Sequence, residues 1–416
     1  MNEQLTAPIG EVPRPGPEAG LYVHVPFCRS KCPYCDFFSV PSAALVPDWI
    51  RALEKEARMV ASGFGLFDTL YLGGGTPTVL EEGPLRRVMD CLCRLPLTAT
   101  PEITVEANPN DATPARLKLL AELGANRVSL GVQSLQDAEL RLLGRTHTAG
   151  DALRAMAAIR SGGHWNLGVD LLFALPGQTE REWVETLTAV LEFAPEHVSC
   201  YQLTVKEDTP MGEAVKSGRL VLPGEEVQRG LLCTASRFLE AHGYVHYEVS
   251  NYARRTDLAR RGPTRRHAGP EPPIACESPG REPPVFDRDF AVCRHNLKYW
   301  DRSPYLGLGP SAHSFLGKRR WWNLRTVRGY CQALDAGEPP VEGEELLTPE
   351  QEHLEKLGLA WRTAAGIPRH ELADNPATEA ALARLVSRGC VRRVGNRYVP
   401  TLEGYLLADQ IPLLFL

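Results

Sequence analysis

Gly20-Leu21-Tyr22-Val23-His24-Val25-Pro26-Phe27-Cys28-Arg29-Ser30-Lys31-Cys32-Pro33-Tyr34-Cys35 is the stretch on which the fold turns. Residues 21–25 make a short apolar run suited to a buried strand, and Pro26 ends it. The chain leaving that strand carries three cysteines spaced C-x3-C-x2-C. A structural zinc site needs four protein ligands, and no fourth cysteine or histidine stands at usable spacing. A ferredoxin-type iron–sulfur site also uses four thiolates. Three thiols, and only three, suit a four-iron cluster whose fourth iron is left for an exogenous ligand. Pro26, Phe27, Pro33 and Tyr34 would stiffen and shield such a loop.

Outward from this loop, residues 20–252 alternate short strand-like runs with longer helical patterns. Strands are expected at 21–25, 69–72, 103–106, 127–131, 167–172, 198–203 and Tyr244–Glu248. Helices are expected at 47–61, 85–95, 114–123, 151–161, 180–193 and 225–242, where Ala, Leu, Arg and Glu recur at three- and four-residue spacing. Repeated strand–helix units imply a parallel sheet and an α/β fold, either a full or partial barrel or a doubly wound open sheet. The unusual polar residues stand just after the strands: Gly73-Gly74-Gly75-Thr76-Pro77, Glu106-Ala107-Asn108-Pro109, Gln133-Ser134, Asp170 and Pro176-Gly177-Gln178. Strand exits form the active rim of an α/β barrel.

Composition bounds the rest. The chain has 416 residues, 43% hydrophobic and 23% charged, which excludes global disorder. Its net charge of -5 gives no basic field for a nucleic-acid backbone, so no nucleic-acid partner is expected. No apolar stretch approaches the ~20 residues of a membrane helix. The leader 1–20 carries Glu3, Glu11 and Glu18 among prolines, unlike a signal or transit peptide. A cytoplasmic protein is expected, with at most transient membrane association through the apolar tail at 412–416. Eleven cysteines, an odd number, argue against a disulfide framework. Cys91, Cys93, Cys200, Cys233, Cys276, Cys331 and Cys390 read as small buried hydrophobes.

The texture changes at Arg254. Residues 254–289 are rich in Pro, Arg and Gly and read as a disordered insert. A second unit spans 290–416. It closes with helices at 348–364, 367–373 and 377–388, a hairpin turning at Gly395-Asn396, and a helix at 402–410. That order resembles a winged-helix-like α+β module, expected here as a scaffold or lid.

The segment 22–28, the cysteine triplet and the 73–77 loop together resemble the radical S-adenosylmethionine (radical SAM) enzymes. There the open iron binds the amino and carboxylate groups of the methionine moiety of S-adenosyl-L-methionine. The resemblance implies a partial (β/α) TIM-type radical SAM barrel over 21–253 and a [4Fe-4S] cluster on Cys28, Cys32 and Cys35. It is strongest toward the branch that holds oxygen-independent coproporphyrinogen III oxidase and the haem chaperone HemW. It runs from about residue 21 to 416 and fails over the leader and the Arg-Pro insert.

Matched motif to motif, the resemblance assigns Tyr22, Tyr34, Gly74, Gly75, Thr76, Glu106, Gln133, Arg145, Asp170 and Thr204 to the cofactor or its surroundings. The residue types suit that chemistry. Glycines let backbone approach the methionine group, and Thr76 adds a hydroxyl. Glu106 and Asp170 end strands, where a carboxylate accepts bonds from ribose hydroxyls or the ammonium. Arg145 is a charge partner for the methionine carboxylate. Taken singly, each is also an ordinary strand-end polar group or a surface ion pair.

Two departures separate this chain from the oxidase, which has a further cysteine where Phe37 stands and a longer amino-terminal segment. Conversely, Arg294-His295-Asn296-Leu297-Lys298-Tyr299-Trp300 resembles the His-Asn-x-x-Tyr-Trp motif of the chaperone branch. A neutral imidazole is a good axial ligand for haem iron, and aromatic rings flank a flat macrocycle. On a helix, His295 and Tyr299 share one face. The resemblance thus implies a haem chaperone that binds haem at His295, Tyr299 and Trp300 and passes it to acceptor haemoproteins. Oxidative decarboxylation of coproporphyrinogen III is the alternative. By residue type alone, His295 is also a packed histidine at a domain junction, with Tyr299 and Trp300 as core. His313, in a glycine-bearing loop, is a second haem candidate, and His24 is structural.

Overall fold

The computed structural model describes residues 18–60, 63–256 and 289–415. The leader through residue 17 and residues 257–288 of the expected insert, Cys276 included, lie outside the described residues.

Six strands run parallel, each beside the next: β1 (Ala19–Val25), β2 (Phe67–Gly74), β3 (Leu97–Ala107), β4 (Arg127–Gln133), β5 (Asn166–Phe173) and β6 (His197–Gln202). Helices Val46–Val60, Glu82–Leu92, Pro114–Glu122, Ala149–Ser161 and Glu180–Leu191 cross between them. Their starts are written locally. Thr148 and Thr179 close capping boxes with Asp151 and Glu182, and Thr113 caps a helix that opens on Pro114.

Alternation along the strands divides the sheet into two faces. Leu21, Val23, Val25, Leu70, Leu72, Val105, Val128, Leu130, Leu167 and Val169 are fully buried and meet Trp49, Leu53, Leu85, Val88, Met156, Ile159 and Trp183 in one core. Each such side chain contributes about 1.5–3 kcal/mol by leaving water. The intervening residues, among them Tyr22, Tyr71, Glu106, Gln133 and Asp170, form the opposite, polar face. An α/β fold with a partial barrel is therefore what the chain adopts.

Both sheet edges depart from the sequence expectation. Tyr244–Glu248 was expected to repeat the strand–helix unit, but this strand, β7, turns directly into β8 (Asn251–Arg254). The connection is too short for a crossover, so β7 and β8 pair antiparallel and β8 pairs antiparallel with β6. At the other edge β9 (Tyr305–Leu308) lies parallel to β1. It is followed by antiparallel β10 (His313–Leu316), β11 (Arg319–Asn323) and β12 (Val341–Leu346). Among the described residues this makes a 12-stranded sheet in the order β12-β11-β10-β9-β1-β2-β3-β4-β5-β6-β8-β7. β9 and β10 have four residues each, and β11 carries Arg319 and Arg320, so periodicity alone does not mark them.

A second apolar cluster gathers Leu357, Trp361, Leu372, Leu382, Leu385 and Ile411. Helices Pro349–Ala360 and Pro376–Ser387 and a hairpin of β14 (Val391–Val394) and β15 (Arg397–Pro400), turning at Gly395 with φ +57°, surround it. The helix expected over 367–373 is absent. Gly366 takes φ +58° and Pro368 lacks an N–H, so Ile367–Pro368 pairs with β15 as β13 and only one 3-10 turn follows. Helix, strand, helix and hairpin still follow one another as in a winged helix. Among the described residues, no helix is long and apolar enough to cross a membrane.

Candidate cluster and cofactor site

The cysteine loop is tied down on both flanks. Cys28 N–H donates to Val40 O at 3.2 Å, and Val40 N–H donates back to Pro26 O at 2.9 Å. Gly75 and Thr76 N–H groups donate to Val25 O and Phe27 O at 2.9 and 2.7 Å, locking the β2 exit against the β1 exit. Tyr34 rests against Leu143, Leu172, Leu175, Leu203 and Met211. Cys28, Cys32 and Cys35 are free and half-buried. Burial first, and then the neighbouring thiols Cys32 and Cys28, push the Cys35 thiol up. Cys28 Sγ lies 3.6 Å from Thr76 Oγ1, and Arg145 Nη1 lies 3.6 Å from Cys32 Sγ. Among the described residues, no three His, Cys, Asp or Glu side chains meet as a single-ion site.

The glycines act first on the protein itself. Gly74 has φ +97°, and a Cβ there would run into the His24 ring. A Cβ on Gly73 would stand 2.6 Å from Glu106 Oε1, and one on Gly75 2.6 Å from Phe27 O. Side-chain-free backbone here lets the 73–77 loop nest against β1 and β3.

Beside the loop, the polar face gathers charge. Glu106 accepts from Tyr71 Oη at 2.9 Å and from Gly74 N–H at 3.0 Å. Burial, followed by Asp170, pushes its carboxyl up to about 7. Asp170 accepts from Ser129 Oγ at 2.9 Å, and burial raises its carboxyl too. Gln133 holds φ +67°, a left-handed conformation costing roughly 1–3 kcal/mol in a non-glycine residue, at the β4 exit. Arg145 donates to Asn108 Oδ1 and, at 3.0 Å, to Gly131 O. Among the described residues, no carboxylate pairs with Arg145. Burial lifts the Tyr22 and Tyr34 phenols above their usual range. Thr204, also expected near the cofactor, stands exposed beyond β6.

The helix Arg294–Trp300 packs under β1 and β2. His295 is 1% exposed, with Nδ1 2.8 Å from Thr69 Oγ1 and Nε2 2.9 Å from Tyr299 Oη. Its ring stacks on Tyr71 at 5.1 Å, and burial lowers its pKa to about 3. It is thus the packed histidine of a junction, on one face with Tyr299. Trp300 is half-buried. A cavity of about 500 Å3 opens between β1, the segment after Cys35, and β9–β12; Tyr22, His24, Tyr299 and His313 are among its lining residues. The sequence reading missed Tyr71, Ser129 and Trp322, whose roles come from register across strands.

The Radical SAM superfamily matches residues 22–190 of this chain. In fold the chain resembles coproporphyrinogen III oxidase (HemN) from Escherichia coli, with a TM-score of 0.75 at 24% identity, covering 96% of this chain and 90% of that one. The haem chaperone HemW of Mycobacterium tuberculosis is 33% identical over 411 residues, 97% of this chain and 96% of the relative. That of Bacillus subtilis is 31% identical over 402 residues, 94% and 97% respectively. The chain belongs to the HemW family of the radical SAM superfamily.

Proposed function

We propose that the protein is a haem chaperone that binds haem and transfers it to acceptor haemoproteins. In this reading Cys28, Cys32 and Cys35 hold a [4Fe-4S] cluster and the polar rim holds an exchangeable S-adenosyl-L-methionine. The observation that carries it is the aromatic, histidine-bearing cavity beside the cysteine loop, in a chain similar to HemW relatives over nearly its whole length. When bound, the cluster supplies a low-potential electron, in the region of ~-400 mV for thiolate clusters.

The chain's own residues supply the binding. Arg145, without a carboxylate partner among the described residues, takes the methionine carboxylate as a charge-assisted pair. Glu106 on β3 and Asp170 on β5, with β4 between them, take the ammonium and the ribose hydroxyls. Gln133, Tyr22, Tyr34, Gly74, Gly75, Thr76 and Thr204 complete the wall. His295, Tyr299 and Trp300 belong to the haem site in this reading, with Tyr299 the one of the three that lines the cavity. The cysteines of the described residues are all free, which supports a reducing, cytoplasmic setting. No nucleic-acid partner and at most transient membrane contact belong to this reading.

Phe37 stands where the oxidase has a further cysteine, and it cannot ligate metal, which supports the chaperone over coproporphyrinogen III decarboxylation. The test is anaerobic reconstitution followed by haem titration, with and without reduced cluster and cofactor. Saturable haem binding with no protoporphyrinogen IX formed from coproporphyrinogen III is expected. Absence of haem binding overturns the reading, and turnover to protoporphyrinogen IX replaces it with the oxidase.

A further inference from the structure

We propose that haem occupies the cavity between β1 and β9–β12 with His313, and not His295, as the axial ligand of its iron. The inference rests on the haem-chaperone reading and names its site.

Three histidines come near the cavity, and their ring nitrogens tell them apart. A neutral imidazole has one N–H and one lone pair, so a ring with both nitrogens engaged has nothing left for iron. His24 Nε2 faces the Phe38 carbonyl at 2.8 Å, and a carbonyl only accepts, so this nitrogen carries the proton. Nδ1 then accepts from Tyr22 Oη at 3.1 Å. His295 is likewise engaged at both nitrogens, by Thr69 and Tyr299. His313 is exposed at the cavity wall, and neither of its ring nitrogens is hydrogen-bonded among the described residues. Its ring stacks on Trp322, the residue across from it in the β10–β11 ladder, at 5.9 Å and 26°. Stacking fixes the ring plane and leaves both edges open. Burial, then the Arg320 cation, lower its pKa, so the lone pair is available at neutral pH.

The surroundings suit a flat, amphipathic anion. A volume of about 500 Å3 falls within the range of small-molecule sites. Tyr299, Tyr305 and Trp322 give aromatic walls, so the motif helix contributes a wall rather than the iron ligand. Phe37, at the rim, is 68% exposed and is the kind of apolar surface a macrocycle covers. Arg325 lines the mouth, and no carboxylate pairs with it among the described residues, which fits a propionate partner. Asp36 and Glu342 also line the mouth and would repel propionates, so the macrocycle enters with that edge toward Arg325.

The test is anaerobic titration of the full chain with ferric haem, followed by Soret absorption and electron paramagnetic resonance. Iron–sulfur absorbance serves as the check on folding. His313→Ala is expected to abolish the histidine-ligated haem spectrum and weaken haem binding at least tenfold while keeping the cluster. His295→Ala should keep the haem spectrum, and His313→Gly should regain it with added imidazole. Arg325→Ala should weaken binding without changing the ligation spectrum. If the unaltered protein binds haem and His313→Ala keeps the same spectrum and affinity, the site is wrong while the chaperone reading stands. If the unaltered protein binds no haem, the chaperone reading itself fails.

Discussion

Arg145 Nη1 lies 3.6 Å from the Cys32 thiol, while its other terminal nitrogen donates to Asn108 Oδ1 and to Gly131 O. One side chain therefore joins the loop after β1, the β3 exit and β4. In the proposed site that position would set it between the thiols on one side and the carboxylate of the cofactor on the other.

Arg145→Ala should weaken S-adenosyl-L-methionine binding at least tenfold, measured by anaerobic equilibrium dialysis at a temperature where the variant is folded. Arg145→Lys should not restore it, because an ammonium cannot span Asn108, Gly131 and a carboxylate with one planar fork. Undiminished cofactor binding by the alanine variant would remove Arg145 from the site.

Replacing any one of Cys28, Cys32 or Cys35 with Ser should abolish or strongly deplete the cluster, read as iron and sulfide content and visible absorbance. A variant that keeps full iron content would refute three-thiol ligation.

Cofactor affinity should depend on pH through Glu106. Its carboxyl, held near 7 chiefly by burial, is neutral below that pH and cannot pair with an ammonium. The bound ammonium favours the ionised form, so the pKa in the complex lies lower and binding must expel a proton. Affinity should therefore fall by about tenfold per unit as pH drops below about 7 and be flat above it. Glu106→Gln should bind more weakly with the slope gone, and an unchanged slope would assign it elsewhere.

Gly74→Ala should lose stability and cluster retention together. Its left-handed backbone costs a side chain roughly 1–3 kcal/mol, and the added Cβ strikes the His24 ring. A thermal melt and iron assay matching the unaltered protein would show that the nesting of the 73–77 loop is dispensable.

Glu56, 2% exposed, accepts from Tyr330 Oη, Gly309 N–H at 2.8 Å and Asn323 Nδ2, clasping the helix Val46–Val60 to the wall of the cavity. Glu56→Ala strands these donors and should cost about 3 kcal/mol, several degrees in melting temperature. Burial raises its carboxyl from 4.5 to about 7, so the folded state holds the proton more tightly. Its contribution to stability is full below about 4.5 and is lost as pH rises to about 7, and Glu56→Gln should flatten that slope in melts taken across the range.

Much of the barrel was legible because burial writes a period into the chain. Leu21, Val23 and Val25, or Leu167 and Val169, alternate as a strand between two layers must, and the intervening helices carry caps such as Thr148 and Thr179. The cysteine loop and the strand-exit residues were legible for a related reason, since their types are rare in a core and their spacing is local. β9–β12 were not, because β9 and β10 have only four residues each, and β11 and β12 carry Arg319, Arg320, Glu342, Glu344 and Glu345. Nor was the winding of β7 back onto β8, which hangs on the two-residue link at 249–250.

By itself, then, the chain specified the parallel strands of the barrel, which loop carries thiols, and which polar groups stand at strand ends, because these are set by neighbours within a few positions. Only the tertiary structure decided that His295 is engaged by Thr69 and Tyr299 while His313 keeps its nitrogens open, and that Arg145 meets Cys32. Thr69 lies 226 residues from His295 and Cys32 113 from Arg145 along the chain, whereas Tyr299, four residues on, was within reach of the helical pattern. Whether a ring nitrogen is free depends on what the fold brings beside it, and no local pattern carries that information.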